Sequence, residues 1–107
     1  MPTLSNQLTN QVLRRLWEYN VYAWRQNTGG IFDRSKGVYR SAAKKGVSDI
    51  LGLRHGSGQF VAVEIKTGYD RLRPEQVGFL RSVQDYGGIA LVVHSLEEFE
   101  QLWKQQL

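Results

Sequence analysis

Two carboxylates and one ammonium group occupy positions where a folded chain seldom places charge. Asp49 closes a Gly-Val-Ser-Asp segment, and Glu64 follows fifteen residues later, with Lys66 two positions beyond it. Glu64 and Lys66 belong to an otherwise apolar run over residues 60–66, which predicts a buried or half-buried strand in which charges are costly. Because side chains alternate along a strand, both point to one face. Two carboxylates beside an amine would suit metal-assisted hydrolysis.

A turn between the two motifs explains how they would meet. Residues 49–53 predict a strand, and the glycine-containing residues 54–58 predict a turn that folds the chain back. A hairpin centred near residue 57 brings position 49 opposite about 64 to 66. Asp49 and Glu64 would then offer the oxygen ligands that Mg²⁺ or Mn²⁺ prefers, with the backbone carbonyl of Ile65 as a further ligand. The alternative is an internal Glu–Lys ion pair with Asp49 capping a turn.

The remaining elements must hold these motifs in place. Apolar spacing and capping residues predict helices, whereas β-branched and apolar runs predict strands. Residues 31–46 are polar and basic and predict a short hairpin or a mobile loop. The other predicted elements are a helix from Leu4 to about Tyr19, a strand over 21–26, a helix that begins at Pro74 and ends at Gly87-Gly88, a buried strand over 89–93 and a helix capped by Ser95. The order is therefore α-β-β-β-α-β-α.

Composition limits the class of protein. A chain of 107 residues with 41% hydrophobic content predicts one ordered domain over residues 1–107. No apolar stretch has the length of a membrane span, the start of the chain lacks a signal-peptide pattern, and cysteine is absent. We therefore expect a cytoplasmic protein of a bacterial or phage-infected cell. Residues 34–54 hold six basic residues and one acid, which suits a nucleic acid as well as it suits a solvated loop.

The motifs in this order resemble the virus-type replication–repair nuclease (VRR-NUC) domain of the PD-(D/E)xK nuclease superfamily. The similarity is carried by residues 46–52, 63–67, 72–76 and 87–90, and it extends back to residues 24–29. It implies an α/β fold with a restriction-endonuclease-like core, in which helices flank a mixed central sheet. It also implies cleavage of DNA phosphodiesters that depends on Mg²⁺ or Mn²⁺.

The resemblance assigns roles to individual residues. Asp49 and Glu64 would be metal ligands, Lys66 the catalytic lysine, and Gln76 a glutamine near the same site. The family usually carries an acidic residue on its first helix, where this chain offers Gln7 or Gln11 as a neutral oxygen ligand.

Contacts with DNA would come from basic residues on either side of the catalytic motifs. These are Arg40, Lys44, Lys45, Arg71 and Arg73. Because no helix-turn-helix or zinc-finger pattern is present, we expect recognition of shape over sequence. The aromatic residues Trp17, Tyr19, Tyr22 and Trp24 predict core or a subunit interface rather than base-stacking surfaces.

These features predict a metal-dependent DNA endonuclease that leaves sequence largely unread. Standalone members of the resembled family suggest a homodimer, which would present two sites to a branched substrate such as a Holliday junction. One alternative is a flap or nicking nuclease within a repair assembly. Another is a non-catalytic DNA-binding protein with a degenerate nuclease fold.

Overall fold

A mixed four-stranded sheet organises the chain. The computed structural model describes residues 3–26, 30–41 and 44–107. The elements of the described residues are α1 (Leu4–Glu18), β1 (Val21–Arg25), β2 (Gly30–Asp33), β3 (Val38–Ser41), β4 (Ile50–Arg54), β5 (Phe60–Ile65), α2 (Pro74–Asp85), β6 (Ile89–Val93) and α3 (Leu96–Lys104). The main sheet has the order β1-β4-β5-β6, and β2 and β3 pair in a separate hairpin.

The register of the central hairpin brings the two charged motifs to the same end of the sheet. β4 and β5 are antiparallel, with Ile50 opposite Val63 and Leu53 opposite Phe60. β6 runs parallel to β5, and β1 runs antiparallel to β4. The start of β4, the end of β5 and the end of β1 therefore lie side by side.

Helices cover the sheet unequally. α1 and α3 pack on one face, where Val61, Val63 and Ile65 of β5 join the larger hydrophobic core. α2 packs on the other face, against β5 and β6, where Ala62 contacts Leu80 and its neighbours in a smaller core. Leu51 of β4 also joins this smaller core, whereas Tyr22 of β1 and Leu53 of β4 are exposed, so the same face of β1 and the end of β4 is left partly open.

Local sequence accounts for the helices. Thr3 caps α1 by accepting a hydrogen bond from the Asn6 N–H, and Ser95 caps α3 in the same way through the Glu98 N–H. Pro74 begins α2, where its missing N–H has no helical partner to lose. Among the described residues, no helix is both long and apolar enough to cross a membrane.

The predicted α/β fold and the element order of its main sheet are confirmed. Residues 31–46 contain the hairpin that was one of the two predictions for them. The strand after Asp49 begins one residue later than expected, at Ile50.

Candidate active site

Asp49 is held by backbone groups on both of its sides. Its carbonyl accepts a hydrogen bond from the Gln26 N–H at 2.7 Å, which extends the ladder between β1 and β4. Its side-chain Oδ2 accepts the Ile65 N–H at 2.8 Å. The Asp49 carboxylate is thus held against the end of β5, which is the strand that carries Glu64.

Glu64 is a buried carboxyl group, and only one of its two oxygens accepts a hydrogen bond from the described residues. The residue is only 2% exposed, and it lies on the sheet face that α2 covers. Its Oε1 accepts a hydrogen bond from Gln76 Nε2 at 3.2 Å. Its Oε2 is buried and, when Glu64 is ionised, has no hydrogen-bond donor among the described residues. A buried oxygen without a partner is unfavourable unless some further group satisfies it.

Gln76 is positioned by the beginning of α2. Its Oε1 accepts the Arg73 N–H at 2.8 Å, which leaves its Nε2 directed at Glu64. The residue is 5% exposed, so it is an integral part of the site and not a surface residue of the first helical turn.

Lys66 lies between two carboxylates. Its Nζ is 3.8 Å from Glu64 Oε1 and 3.5 Å from Asp70 Oδ2, and the residue is 5% exposed. Sequence reasoning did not select Asp70, which follows Lys66 by four residues. A spacing of four residues predicts an ion pair only on a helix, and residues 66–70 form a loop. The pair of Lys66 and Asp70 is therefore visible only in the structure.

The electrostatics of the site favour a protonated Glu64 when no cation is bound. Burial is the largest cause that raises the pKa of Glu64 from 4.5 to about 8, and the charge of the adjacent Asp49 and a hydrogen bond with it add to the rise, whereas Lys66 and Arg73 oppose it. Two carboxylates in one low-dielectric space resist ionising together. A divalent cation would relieve that repulsion.

Gly46 lets the segment before Asp49 pass close to α2. Its φ of +85° is in the left-handed region, and a Cβ atom there would lie 2.3 Å from the carbonyl oxygen of Glu75. Only glycine fits this contact, which brings the Gly-Val-Ser-Asp segment against the helix that supplies Gln76. Ser48, within that segment, is fully buried and its Oγ has no partner among the described residues.

Gln7 and Gln11 are exposed on α1 and line a hollow of about 350 Å³ together with Thr67. Thr67 directly follows Lys66, so this hollow borders the site. In the described part of the chain, no hydrogen bond joins either glutamine to Asp49 or Glu64. Their role as metal contacts stays a prediction.

The predicted DNA-binding residues lie on two segments that adjoin the site. Lys44 and Lys45 are exposed immediately before Gly46, and Arg71 and Arg73 are exposed between Lys66 and α2. The pKa-lowering effect of Arg73 on Glu64 places its guanidinium within electrostatic reach of the carboxyl. Arg40 is on β3, and its side chain lies outside the described part of the structure.

The prediction that four aromatic residues belong to the core is wrong. The exposed fractions are 53% for Trp17, 40% for Tyr19, 76% for Tyr22 and 36% for Trp24. Tyr22 and Trp24 project from the face of β1 that α2 does not cover, and Trp17 and Tyr19 lie at the end of α1. Their alternative prediction, a subunit interface, is not tested by this placement.

Fold and motif together are those of the PD-(D/E)xK type of nuclease domain: a mixed sheet with an Asp at the start of one strand and a Glu-x-Lys at the end of its neighbour. Within that class, the chain matches the family model of the VRR-NUC domain over residues 5–97. The match covers most of the chain, and the protein belongs to the VRR-NUC domain family. A search of curated proteins gave no match. Nuclease domains of this family generally use divalent metal ions, and their substrate is DNA.

Proposed function

We propose that this protein is a metal-dependent endonuclease that hydrolyses DNA phosphodiesters through Asp49, Glu64, Lys66 and Gln76. The observation that carries the proposal is the close pair of carboxyl groups from Asp49 and Glu64, in which Glu64 Oε2 is buried and has no donor among the described residues, while Glu64 Oε1 is 3.8 Å from the Lys66 ammonium. A carboxyl pair with one buried and one half-buried member is unfavourable for folding alone, and it is useful where a cation must be held.

The residues present fit Mg²⁺ or Mn²⁺. Both ions prefer oxygen ligands, and Asp49, Glu64 and the Ile65 carbonyl would supply them. Within the described residues, no cluster of three or more His, Cys, Asp and Glu side chains that could hold a metal ion is found. Asp49 and Glu64 would contribute two carboxylates, and the remaining ligands would be neutral oxygens. When bound, such an ion supplies charge neutralisation and activation of water.

The other side chains have separable roles. Gln76 fixes the orientation of the Glu64 carboxyl through its amide. Lys66 is placed to orient the attacking water or to stabilise charge on the phosphoryl oxygens. Arg71 and Arg73, with Lys44 and Lys45, would neutralise phosphates on either side of the cut. Arg40 would extend that contact.

We further propose that the enzyme acts as a homodimer on branched DNA, including four-way junctions, with little regard to sequence. The support is a complete candidate site on a small domain that has few elements left for reading bases. A flap or nicking activity within a repair assembly is the alternative substrate choice. A non-catalytic DNA-binding role is favoured by one observation, namely that α1 offers Gln7 and Gln11 where the family usually has an acid.

A cleavage assay separates these functions. Labelled four-way junction, flap and plain duplex are incubated with the protein in Mg²⁺, in Mn²⁺ or in EDTA. We expect metal-dependent cleavage of the junction, and its loss in Glu64→Gln and Lys66→Met. The exposed Glu97→Gln is the matched control. Cleavage that persists in both site variants would contradict the assignment, whereas binding without cleavage in the wild type would favour the non-catalytic role.

A further inference from the structure

A hollow of about 440 Å³ lies beside the edge strand β1, away from the carboxyl groups of the site. Its walls include three aromatic side chains, from Trp17, Tyr22 and Trp24, and two polar ones, from Asn20 and His55. We call it the aromatic hollow. None of its residues belongs to the catalytic motifs, and the exposure of its three aromatic residues contradicts the prediction that they belong to the core.

Two rings in the hollow form an open corner. The centroids of Tyr22 and Trp24 are 5.9 Å apart, and the ring planes meet at 70°. A flat aromatic ligand could stack on one ring while its edge meets the other, which is a favourable aromatic geometry. Tyr22 is 76% exposed, so the corner is accessible.

The polar groups of the hollow favour a nucleobase over an apolar surface. The indole N–H groups are already used: Trp17 Nε1 donates to the Ala23 carbonyl at 2.8 Å, and Trp24 Nε1 donates to Gln26 Oε1 at 3.2 Å. This fixes both rings in place. The amide of Asn20 and the imidazole of His55 remain as donors and acceptors at the rim, which suit the polar edge of a base.

Charge and position connect the hollow to the proposed cut. Lys44 and Lys45 are exposed and lead to Asp49, whereas Arg25, next to Trp24, points to the opposite face of β1 and donates a hydrogen bond to Asn6 of α1. The nearby acid Glu18 is paired with Arg15 at 3.2 Å, which offsets its charge. Trp24 lies opposite Leu51 on β4, two residues from Asp49. Sheet geometry therefore separates the Trp24 and Asp49 backbones by roughly 8 Å, a distance that a short single strand spans.

We propose that the aromatic hollow binds unpaired bases of a single-stranded DNA segment that adjoins the duplex being cut, by stacking them on Trp24 and Tyr22. This inference rests on the proposed function and specifies its substrate. The preferred DNA would carry an unpaired arm or an opened branch point, because fully paired bases cannot reach the rings. The exposed Lys44 and Lys45, on the segment that leads to Asp49, would complement the phosphates of that arm where it meets the duplex.

The test is DNA binding in EDTA, where no cleavage occurs. Fluorescence anisotropy compares a blunt duplex with the same duplex carrying a short single-stranded tail. We expect wild type to prefer the tailed duplex and Trp24→Ala to lose roughly 5- to 150-fold of affinity for it, the range of one base–aromatic stack. Trp24→Phe retains most of the preference because it keeps a ring. Tyr86→Ala removes an aromatic residue that is 93% exposed on another part of the surface and should change nothing.

Two outcomes would overturn the inference. One is an unchanged tail preference in a folded Trp24→Ala protein. The other is a Trp24→Ala protein that sediments as a monomer where wild type sediments as a dimer, while each protomer binds tailed DNA with unaltered affinity. That result would make the hollow an interface between copies of the chain. The same proteins are assayed for cleavage in Mg²⁺. A tail preference that depends on Trp24, without cleavage of any DNA, supports the inference and rejects the proposed nuclease activity.

Discussion

Glu64→Gln should change how the stability of the metal-free protein depends on pH. In the unfolded chain the pKa of Glu64 returns to about 4.5, whereas in the folded protein it is about 8. Below the lower value both states hold the proton, and between the two values only the folded state holds it. Since the unfolded state then binds fewer protons, the free energy of unfolding falls as the pH rises through this window and levels off above it.

The size of the effect follows from the width of the window. From 4.5 to about 8 is 3.5 pH units, and at about 1.4 kcal/mol for each unit the upper limit is about 5 kcal/mol. For a domain of this length, each kcal/mol moves the melting temperature by roughly 4 °C, so the limit corresponds to about 20 °C. Glutamine has nearly the shape of the protonated carboxyl and cannot ionise. The variant should therefore match wild type in acid and exceed it in base.

Thermal unfolding followed by circular dichroism in EDTA, at about pH 5 and about pH 8.5, measures the difference. Glu75→Gln, which changes an exposed glutamate of the same region, is the control and should follow wild type. Adding Mg²⁺ at the higher pH should raise the melting temperature of wild type by about 10 °C at a hundredfold excess over Kd, and that of Glu64→Gln much less. Parallel pH profiles for wild type and Glu64→Gln would refute the reasoning.

Three further variants test the supports of the site. Gly46→Ala should lower the free energy of unfolding in urea by at least about 2 kcal/mol more than Gly56→Ala, because both glycines have positive φ but only the first meets a backbone carbonyl. Gln76→Leu should cost about 1–3 kcal/mol in the same measurement, since it leaves two hydrogen-bonding groups without partners. Asp70→Asn should lower kcat a few-fold with little change in KM or melting temperature, because the Asp70 carboxylate is 62% exposed and its pair with Lys66 adds little stability. An unchanged kcat would remove Asp70 from the site.

The central hairpin shows how far sequence alone can lead. Alternation along β5 and the length of the turn were sufficient to predict that Asp49 lies opposite about residues 64 to 66, and the register of Ile50 with Val63 agrees with this. Ladder geometry is a local rule that depends on few distant contacts. The same holds for the helix starts at Leu4 and Pro74, which depend on residues at the start of each helix.

Features that depend on distant packing were not predictable in this way. The burial of Gln76 depends on how α2 docks on the sheet, and the pairing of Lys66 with Asp70 depends on the path of a loop. The exposure of Tyr22 and Trp24 arises because α2 covers only part of the sheet face. Composition cannot distinguish an aromatic residue that is buried by a helix from one that the helix does not reach.

Charge balance at the site leads us to infer one tightly held divalent cation in place of two. With Asp49, Glu64 and Asp70 ionised, three negative charges meet the protonated Lys66, and the charge of Arg73 also acts on Glu64, which leaves one to two negative charges. One divalent ion offsets this excess before DNA arrives, whereas a second would add positive charge that only further carboxylates could offset. On α1 those positions are Gln7 and Gln11, whose amide oxygens carry no net charge. In the chain alone, protonation of Glu64 reduces the same imbalance, so its raised pKa and the preference for a single ion have one physical cause.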